Sequence, residues 1–244
     1  MHVKSKKVFS AFDQIAKYID LCDAFCLEID ASVSQDPEMH SRMLLPSGHT
    51  LRSLLKTKTY QRLSNIFSHL GGSHLLVQMN YVRPMNLISL MSSLIMKEDE
   101  EFILDTSLYQ YAQSQNKRTF GIETREEHMA ILDRMTIDLE VKQLRSIIQN
   151  FSSFKRTHAR MMDHYIHGRI DKLYQNGKKS LGSWRKILLK DRNHKIWQRL
   201  AELSHSESVF CAIGAGHLSG NYGVLRLLKL GGAKVKPILL DFEH

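Results

Sequence analysis

FCAIGAGHLSGNYGVLRLLKLGGAKVKPILL, residues 210–240, is the stretch that decides the fold of this chain. An apolar run predicts a buried strand that leads into Gly214-Ala215-Gly216-His217. An amphipathic helix follows, and a second strand is predicted over 234–240. Gly214 and Gly216 allow a sharp turn and a close approach to another group, because they carry no Cβ. The stretch therefore predicts a strand–turn–helix–strand unit of an α/β sheet.

His217 lies where the strand passes into the helix, at the edge where open α/β sheets bind their ligands. A neutral imidazole at this edge can ligate a metal ion or transfer a proton near neutral pH. The alternative is a glycine-rich turn whose histidine only caps the helix or packs in the core. The spacing alone slightly favours this alternative.

The N-terminal part shows the same order of elements. His2 precedes an amphipathic stretch over 8–19 and a strand-like run over 24–30. This pattern predicts one unit used twice, with the first copy beginning just before its histidine. A sheet that pairs the two units could bring His2 and His217 together. Two histidines and a carboxylate form a ligand set for zinc, manganese, cobalt or iron.

Four blocks of the sequence, in order, resemble one known family. They read MHVKSKKVFSAFDQIAKYIDLCDAFCLEID, FILDTSLYQYAQSQNKRTFGIETREEHMAIL, LLKDRNHKIWQRLAEL and GAGHLSGNYGVLRLLKLGGAKVKPI. They are similar to the TraB/PrgY/GumN family, which belongs with the Tiki proteases in a Tiki-like superfamily. Because the blocks span nearly the whole chain, the resemblance is much more specific than a single Gly-x-x-His motif.

The resemblance implies an active site with two Gly-x-x-His motifs, an acidic residue after the first and an arginine between them. The first motif survives only as His2, because its strand and its Gly-Thr would precede Met1; this suggests a truncated chain or a start at an internal methionine. The matching positions are the motif glycines Gly214 and Gly216, the metal ligands His2, His217 and Glu28, and the further catalytic residues Glu123, Arg192 and Asn193.

Each acidic or basic candidate also has a purely structural interpretation. Glu28 is either a ligand or general base, or an exposed residue at a strand end. Glu123 closes a predicted strand, but it also precedes Thr124 and Glu127, which form a plausible capping box. Asp191 is predicted to cap a helix whose first turn contains Arg192 and Asn193, where an anionic group would be stabilised. That group is an oxyanion, a carboxylate or Glu28 itself.

Length and composition predict one domain, residues 1–244. No run reaches the roughly 20 apolar residues that span a bilayer, and no signal peptide is evident. The chain as it stands is expected to be cytoplasmic, or periplasmic or secreted if the missing N-terminus held a signal peptide. The three cysteines form no metal knuckle and predict no disulfide framework.

Basic residues are concentrated between Val141 and Arg199, where 15 Lys and Arg stand against 3 Asp. Such a segment can attract an anionic partner: nucleic acid, a membrane surface or an acidic peptide. More often it is a solvated helical face, and the lack of a nucleic-acid-binding motif argues against nucleic acid.

The predicted fold class is α/β. Its small mixed or parallel sheet is built from the duplicated strand–GxxH–helix–strand unit, with a large helical insertion. Residues 1–30 and 205–244 are the paired sheet units, and 40–205 is mainly helical. Strands are predicted over 24–30, 118–123, 208–214 and 234–240, helices over 48–70, 86–97, 101–115 and 126–149, and a loop over 176–182.

The resemblance implies metal-dependent hydrolysis of a peptide or protein substrate. His2 and His217 would hold a divalent cation (Mn, Co or Zn), with Glu28 as third ligand or general base. Arg192 would stabilise the oxyanion. The alternative is a regulatory protein without catalysis that binds a pheromone-like peptide, or haem or another ligand through the histidines.

Overall fold

Three parallel strands form the sheet of the computed structural model, which describes residues 6–31, 36–96 and 103–240. The strands are β1 (Ala24–Ile29), β2 (Arg118–Glu123) and β3 (Val209–Ala212), and β1 lies in the centre in the order β2-β1-β3. Cys26 of β1 lies opposite Phe120 of β2 and Cys211 of β3. The prediction of an α/β fold with a small sheet is confirmed, and the sheet is parallel.

The predicted strand over 234–240 is wrong. These residues follow a turn and have no regular secondary structure. Ile238 is 56% exposed and Leu239 is 92% exposed, so their apolar side chains gain no burial. A strand is stabilised only when it pairs with a neighbour and buries one face, and the local pattern cannot provide that neighbour.

The helices account for most of the chain, and their bounds depart from the predictions at three places. The helices predicted over 48–70 and 126–149 are each divided in two. The loop predicted over 176–182 is instead the end of a helix, which stops at Gly182 with φ of +50°. The helices are α1 (Lys6–Phe9), α2 (Phe12–Asp20), α3 (Pro37–Arg42), α4 (Leu51–Leu54), α5 (Thr57–Leu70), α6 (Ser73–Gln78), α7 (Pro84–Ile95), α8 (Leu104–Ser114), α9 (Arg125–Asp133), α10 (Ile137–Gln149), α11 (Phe151–Ile166), α12 (Ile170–Leu181), α13 (Asp191–Leu203) and α14 (Val224–Leu230).

Shorter helical turns complete the list of elements. Three are 3₁₀ turns and one is a π-helical turn that runs directly into α13. They are Met79–Tyr81, Gly182–Trp184, Ala215–His217 and, for the π turn, Lys186–Lys190.

One compact unit contains the sheet and comprises Met1–Val33, Glu98–Ile131 and Asp163–His244. Cys26 and Ile122 bury one face of the sheet against Ile196 of α13 and Val224 of α14. Phe25 points to the other face, as the two-residue period of a strand requires, and stacks on Phe210 with ring centroids 5.7 Å apart. Helix α8 packs against β1 and β2. Helices therefore pack against the strands and leave the carboxyl ends of the strands for the candidate site.

A second compact unit, Ser34–Lys97 and Leu132–Met162, is helical. Its core is made of aliphatic residues and phenylalanine contributed by α4, α5, α7 and α10, whose apolar residues recur at helical spacing. The fully buried members of this core are Leu51, Leu63, Phe67, Leu87, Met91 and Leu144. The single domain 1–244 stays a prediction of the sequence.

None of the helices in the described part of the chain is long and apolar enough to cross a membrane.

Candidate functional site

The carboxyl ends of the three strands meet at one edge of the sheet, because parallel strands all end on the same side. Glu28 is the fifth residue of β1, Glu123 is the last residue of β2, and Gly214 follows β3 by two residues. Ile29 and Glu123 are paired in register. The strand ends thus bring together residues that lie about 90 positions apart along the chain.

Glu28 accepts hydrogen bonds from two other elements. Its Oε2 accepts from the Gly214 amide at 3.0 Å, and its Oε1 accepts from Arg192 and lies 3.4 Å from His217 Nε2. Burial alone would raise the pKa of Glu28, but His217 when it is protonated, Arg192 and the Gly214 amide stabilise the carboxylate and hold the pKa well below its usual value of 4.5. The side chain is 28% exposed, so the carboxylate can still be reached from solvent.

Arg192 connects the two carboxylates. Its Nε donates to Glu123 Oε1 at 2.7 Å and its Nη2 donates to Glu123 Oε2 at 2.6 Å, which is the bidentate geometry that suits a guanidinium. Nη2 also donates to Glu28, and Nη1 donates to the Leu188 carbonyl at 3.3 Å. Burial would lower the pKa of Arg192, but the two carboxylates raise it, so the guanidinium stays charged.

His217 is held in one tautomer by Asn193. The Asn193 amide Nδ2 donates to the carbonyls of Tyr222, at 2.6 Å, and His217, at 3.3 Å. Its Oδ1 must therefore be the acceptor that lies 2.5 Å from His217 Nδ1, which places the ring proton on Nδ1. In the neutral ring the Nε2 lone pair then faces Glu28, and in the protonated ring Nε2 donates towards Glu28. Asn193 is 1% exposed and His217 is 4% exposed.

The site has more negative than positive charge. Glu28 and Glu123 contribute two negative charges, Arg192 contributes one positive charge, and His217 in this tautomer contributes none. A buried negative charge is costly unless a cation or a proton balances it. A proton on His217 Nε2, or a cation bound in its place between Nε2 and Glu28, supplies the missing positive charge.

The described residues provide two ligands for such an ion. His217 Nε2 and Glu28 Oε1 lie 3.4 Å apart. Arg192 donates to this one oxygen of Glu28 but to both oxygens of Glu123. Within 6–31, 36–96 and 103–240, no group of three His, Cys, Asp or Glu side chains is arranged around one position. His2, the second predicted histidine ligand, lies outside the described residues.

The two motif glycines differ in what they permit. A Cβ on Gly214 would lie 3.1 Å from Glu28 Oε2 and 3.6 Å from His217 Cδ2, so this glycine lets the carboxylate reach the backbone amide. A Cβ on Gly216 would meet only Leu189 Cδ2, at an ordinary 3.9 Å. The close approach expected at both positions therefore exists at Gly214 alone.

The helical surroundings of Arg192 correct one prediction. Asp191 is not a helix cap, because the π turn Lys186–Lys190 continues into α13 with Lys190 in helical conformation (φ −61°, ψ −52°). Arg192 therefore does not lie at a free helix N-terminus and acts through its guanidinium alone. The predicted capping box at the start of α9 is confirmed: the Thr124 amide donates to Glu127 at 3.0 Å and the Glu127 amide donates to Thr124 Oγ1 at 3.2 Å.

His128 on α9 is a residue that the sequence reasoning missed. Burial and the charge of Arg192 lower its pKa, while Glu123 and Glu28 act in the opposite direction, so it lies within electrostatic range of the site. Its Nδ1 is buried and has no hydrogen-bond partner among the described residues. The sequence did contain a signal for His128: it lies five residues after Glu123 and one helical turn beyond Thr124.

Comparison with known proteins gives one result. No curated protein and no solved structure gives a significant match to the chain. The model of the TraB/PrgY/gumN family matches residues 1–237 and so includes every candidate site residue described above. The chain belongs to the TraB/PrgY/gumN family.

Proposed function

We propose that this protein is a metal-dependent hydrolase that cleaves peptide bonds, with His217 and Glu28 among the ligands of a divalent cation. The observation that carries the proposal is the orientation of the His217 ring. Asn193 holds the proton on Nδ1, and the Nε2 lone pair faces Glu28 at 3.4 Å. A histidine ligand whose other nitrogen is fixed by a hydrogen bond is typical of protein metal sites.

Glu28 is held in place for the role of ligand. The Gly214 amide and Arg192 fix both of its oxygens, so the carboxylate does not rotate freely when a cation binds. Glu123 in turn holds Arg192 in a bidentate pair. In the duplicated unit predicted from the sequence, His2 and His217 hold the cation and Glu28 is the third ligand or general base.

A divalent cation in such a site supplies a water that loses a proton near neutral pH and can attack a carbonyl carbon. The chain's own residues orient and balance this chemistry. Because Arg192 donates to Glu28, Glu123 and Leu188, we assign it to positioning the carboxylates, in place of the oxyanion role that the resemblance implies.

Capture of a peptide without cleavage is the second candidate. The same network of Arg192 with two carboxylates would also hold the loop after β3 rigid, as a binding protein requires. The two functions differ in whether a metal is bound and whether a peptide is cut.

Metal content measured by elemental analysis tests the proposal. We expect the protein, purified and then loaded with Mn²⁺, Co²⁺ or Zn²⁺, to retain about one ion per chain, and His217→Ala and Glu28→Gln to lose it. His205→Ala is the matched control, because His205 is an exposed histidine that precedes the amino end of β3, whereas the site lies at the carboxyl end. The loaded protein should cleave members of a peptide library. Retention of the ion by His217→Ala would overturn the assignment.

A further inference from the structure

A cleft of about 160 Å³ is lined in part by Asn193, the residue that contacts His217 Nδ1. Asn193 and Tyr222 line it, and these are the residues whose amide and carbonyl groups bond to each other next to the His217 ring. A cavity needs about 10–15 Å³ of volume open to the centre of a water-sized sphere to hold one water. The cleft therefore accommodates a group about the size of one amino-acid side chain.

The walls of the cleft are positively charged. Arg185, Lys186 and Lys190 line it. Within the described ranges, none of these three side chains forms a salt bridge, and the cleft lining contains no acidic residue. Arg192, in contrast, is fully paired with Glu28 and Glu123. Unpaired cations that converge on a cleft attract an anionic group.

The cleft is a built feature of the fold, because each wall is held in place. Tyr174 of α12 lies directly over Gly220, where a Cβ would come within 2.3 Å of Tyr174 Cζ and where φ is +93°. Asp171 of α12 accepts a hydrogen bond from Ser219. The loop between His217 and α14 is thus fastened to α12, and only glycine fits at position 220.

The opposite wall is the π turn Lys186–Lys190. Lys186, Leu189 and Lys190 of this turn and Asn193 of α13 all line the cleft. Lys190 Nζ lies 4.1 Å from the centroid of the Tyr222 ring, which holds the ammonium at the cleft mouth by a cation–π contact. Isolated π turns of this kind are frequent at functional sites.

We propose that this cleft binds a carboxylate of the substrate, so that the protein selects peptides with an acidic group. The inference rests on the proposed hydrolase function. A carboxylate is favoured because Arg185 can bind it through two N–H groups, the two lysines add charge, and the volume suits one side chain or one chain end. The carboxylate is either an Asp or Glu side chain or the C-terminal carboxylate of the peptide.

Fluorescence anisotropy of labelled peptides, with EDTA present to prevent cleavage, tests the binding directly. One pair of peptides is amidated and differs only by Glu or Gln. A second, neutral pair differs only by a free or an amidated C-terminus. We expect the carboxylate member of one pair to bind at least about 10-fold more tightly than its neutral partner, and that pair identifies the source of the carboxylate. Equal affinities within both pairs would overturn the proposal.

Substitutions connect the preference to the cleft. Lys186→Glu, at an exposed lining position, should reduce the carboxylate preference to about 1, and Lys190→Met should weaken it while keeping the apolar stem over Tyr222. Lys229→Glu on α14 makes the same change of charge at an exposed position outside the cleft and should keep the preference. An unchanged preference in folded Lys186→Glu and Lys190→Met, checked by circular dichroism, would contradict the cleft assignment.

The two proposals fail separately. If the protein binds carboxylate peptides selectively but the metal-loaded protein cleaves none, the cleft assignment stands and the hydrolase proposal is wrong. If the Glu and Gln peptides, and the free and amidated peptides, are cleaved at equal kcat/KM, the hydrolase proposal stands and the cleft assignment is wrong.

Discussion

Two buried arginine–glutamate arrangements, one in each compact unit, differ in their balance of charge. In the helical unit Arg83 pairs with a single carboxylate, Glu140, whose side chain is 1% exposed; Arg83 also donates to the Met135 carbonyl. In the sheet unit Arg192 faces two carboxylates, Glu28 and Glu123. Burial raises the pKa of Glu140 despite Arg83, whereas the pKa of Glu28 is held well below its usual value.

This difference in charge balance distinguishes an ion pair that only stabilises the fold from one that belongs to a candidate functional site. One arginine with one carboxylate is balanced and connects the start of α7 to α10, since the Met85 amide also donates to Glu140 at 3.3 Å. One arginine with two carboxylates leaves a negative charge at a strand edge that solvent can reach. A surplus of charge at an accessible edge is more informative about function than burial or pKa alone.

The largest expected effect comes from removing each arginine. Arg192→Leu leaves two carboxylates without a cation and should lower the free energy of unfolding by about 3–5 kcal/mol, as for other broken buried ion pairs. Arg83→Leu should cost less, about 1–3 kcal/mol, because Glu140 can take up a proton. Urea unfolding at pH 7 measures both. A larger loss for Arg83→Leu would reverse the comparison.

Alanine substitutions of the two motif glycines should have smaller effects on stability, and the two effects should differ. Gly214→Ala forces a methyl group to 3.1 Å from Glu28 Oε2 and should cost about 1–3 kcal/mol and weaken metal retention. Gly216→Ala meets only an ordinary contact and should change stability by about 0.5 kcal/mol or less. Thermal unfolding and elemental analysis of both variants check this. Equal losses at the two positions would contradict the role given to the Gly214 amide.

The smallest effects should appear in the pH dependence of stability, with opposite signs in the two units. Burial alone would raise the pKa of Glu127, beside the site, but Arg199 and Lys195 lower this pKa to about 2. Its stabilisation is therefore complete above its usual pKa of 4.5 and lost as the pH falls towards 2. The pKa of Glu140 is raised, so its contribution is complete below 4.5 and lost as the pH rises through the folded-state pKa.

Two neutral variants isolate these contributions. The difference in stability between the wild type and Glu127→Gln should shrink as the pH falls from 6 to 2. The stability of Glu140→Gln relative to the wild type should rise as the pH increases from 4 to 7. Urea unfolding across this range measures both curves. When each curve is taken as the stability of the wild type minus that of the variant, the slopes against pH should be positive for Glu127 and negative for Glu140, and slopes of the same sign would contradict the assigned pKa directions.

Local patterns predicted the strands well and the helix ends less well. The runs over 24–30, 118–123 and 208–214 contain β1, β2 and β3 within a few residues, because apolar runs flanked by glycine or polar residues bury themselves as strands. The same rule was wrong at 234–240, which have no regular secondary structure and where Ile238 and Leu239 stay exposed. The loop predicted over 176–182 also failed, because Gly177 is tolerated within α12 and only Gly182 ends it.

The candidate residues were predictable by resemblance, but their partners were not. Glu28, Glu123, Arg192, Asn193 and His217 come together at one strand edge, and their catalytic and metal-binding roles stay predictions. Spacing could not indicate that Arg192 would be occupied by two carboxylates. His128 and the basic cleft were missed because no sequence spacing records which helix face lies beside the sheet edge.

The family, the mixed α/β class and the residues that carry charge and imidazole could all be identified from the amino-acid sequence. These follow from motifs and from short-range periodicity, which depend on neighbours along the chain. Only the tertiary structure decided which carboxylate Arg192 neutralises, which nitrogen of His217 is free and where the unpaired lysines converge. Hydrogen bonds and charge interactions act over a few ångströms in space, between residues that the chain order separates by up to 186 positions.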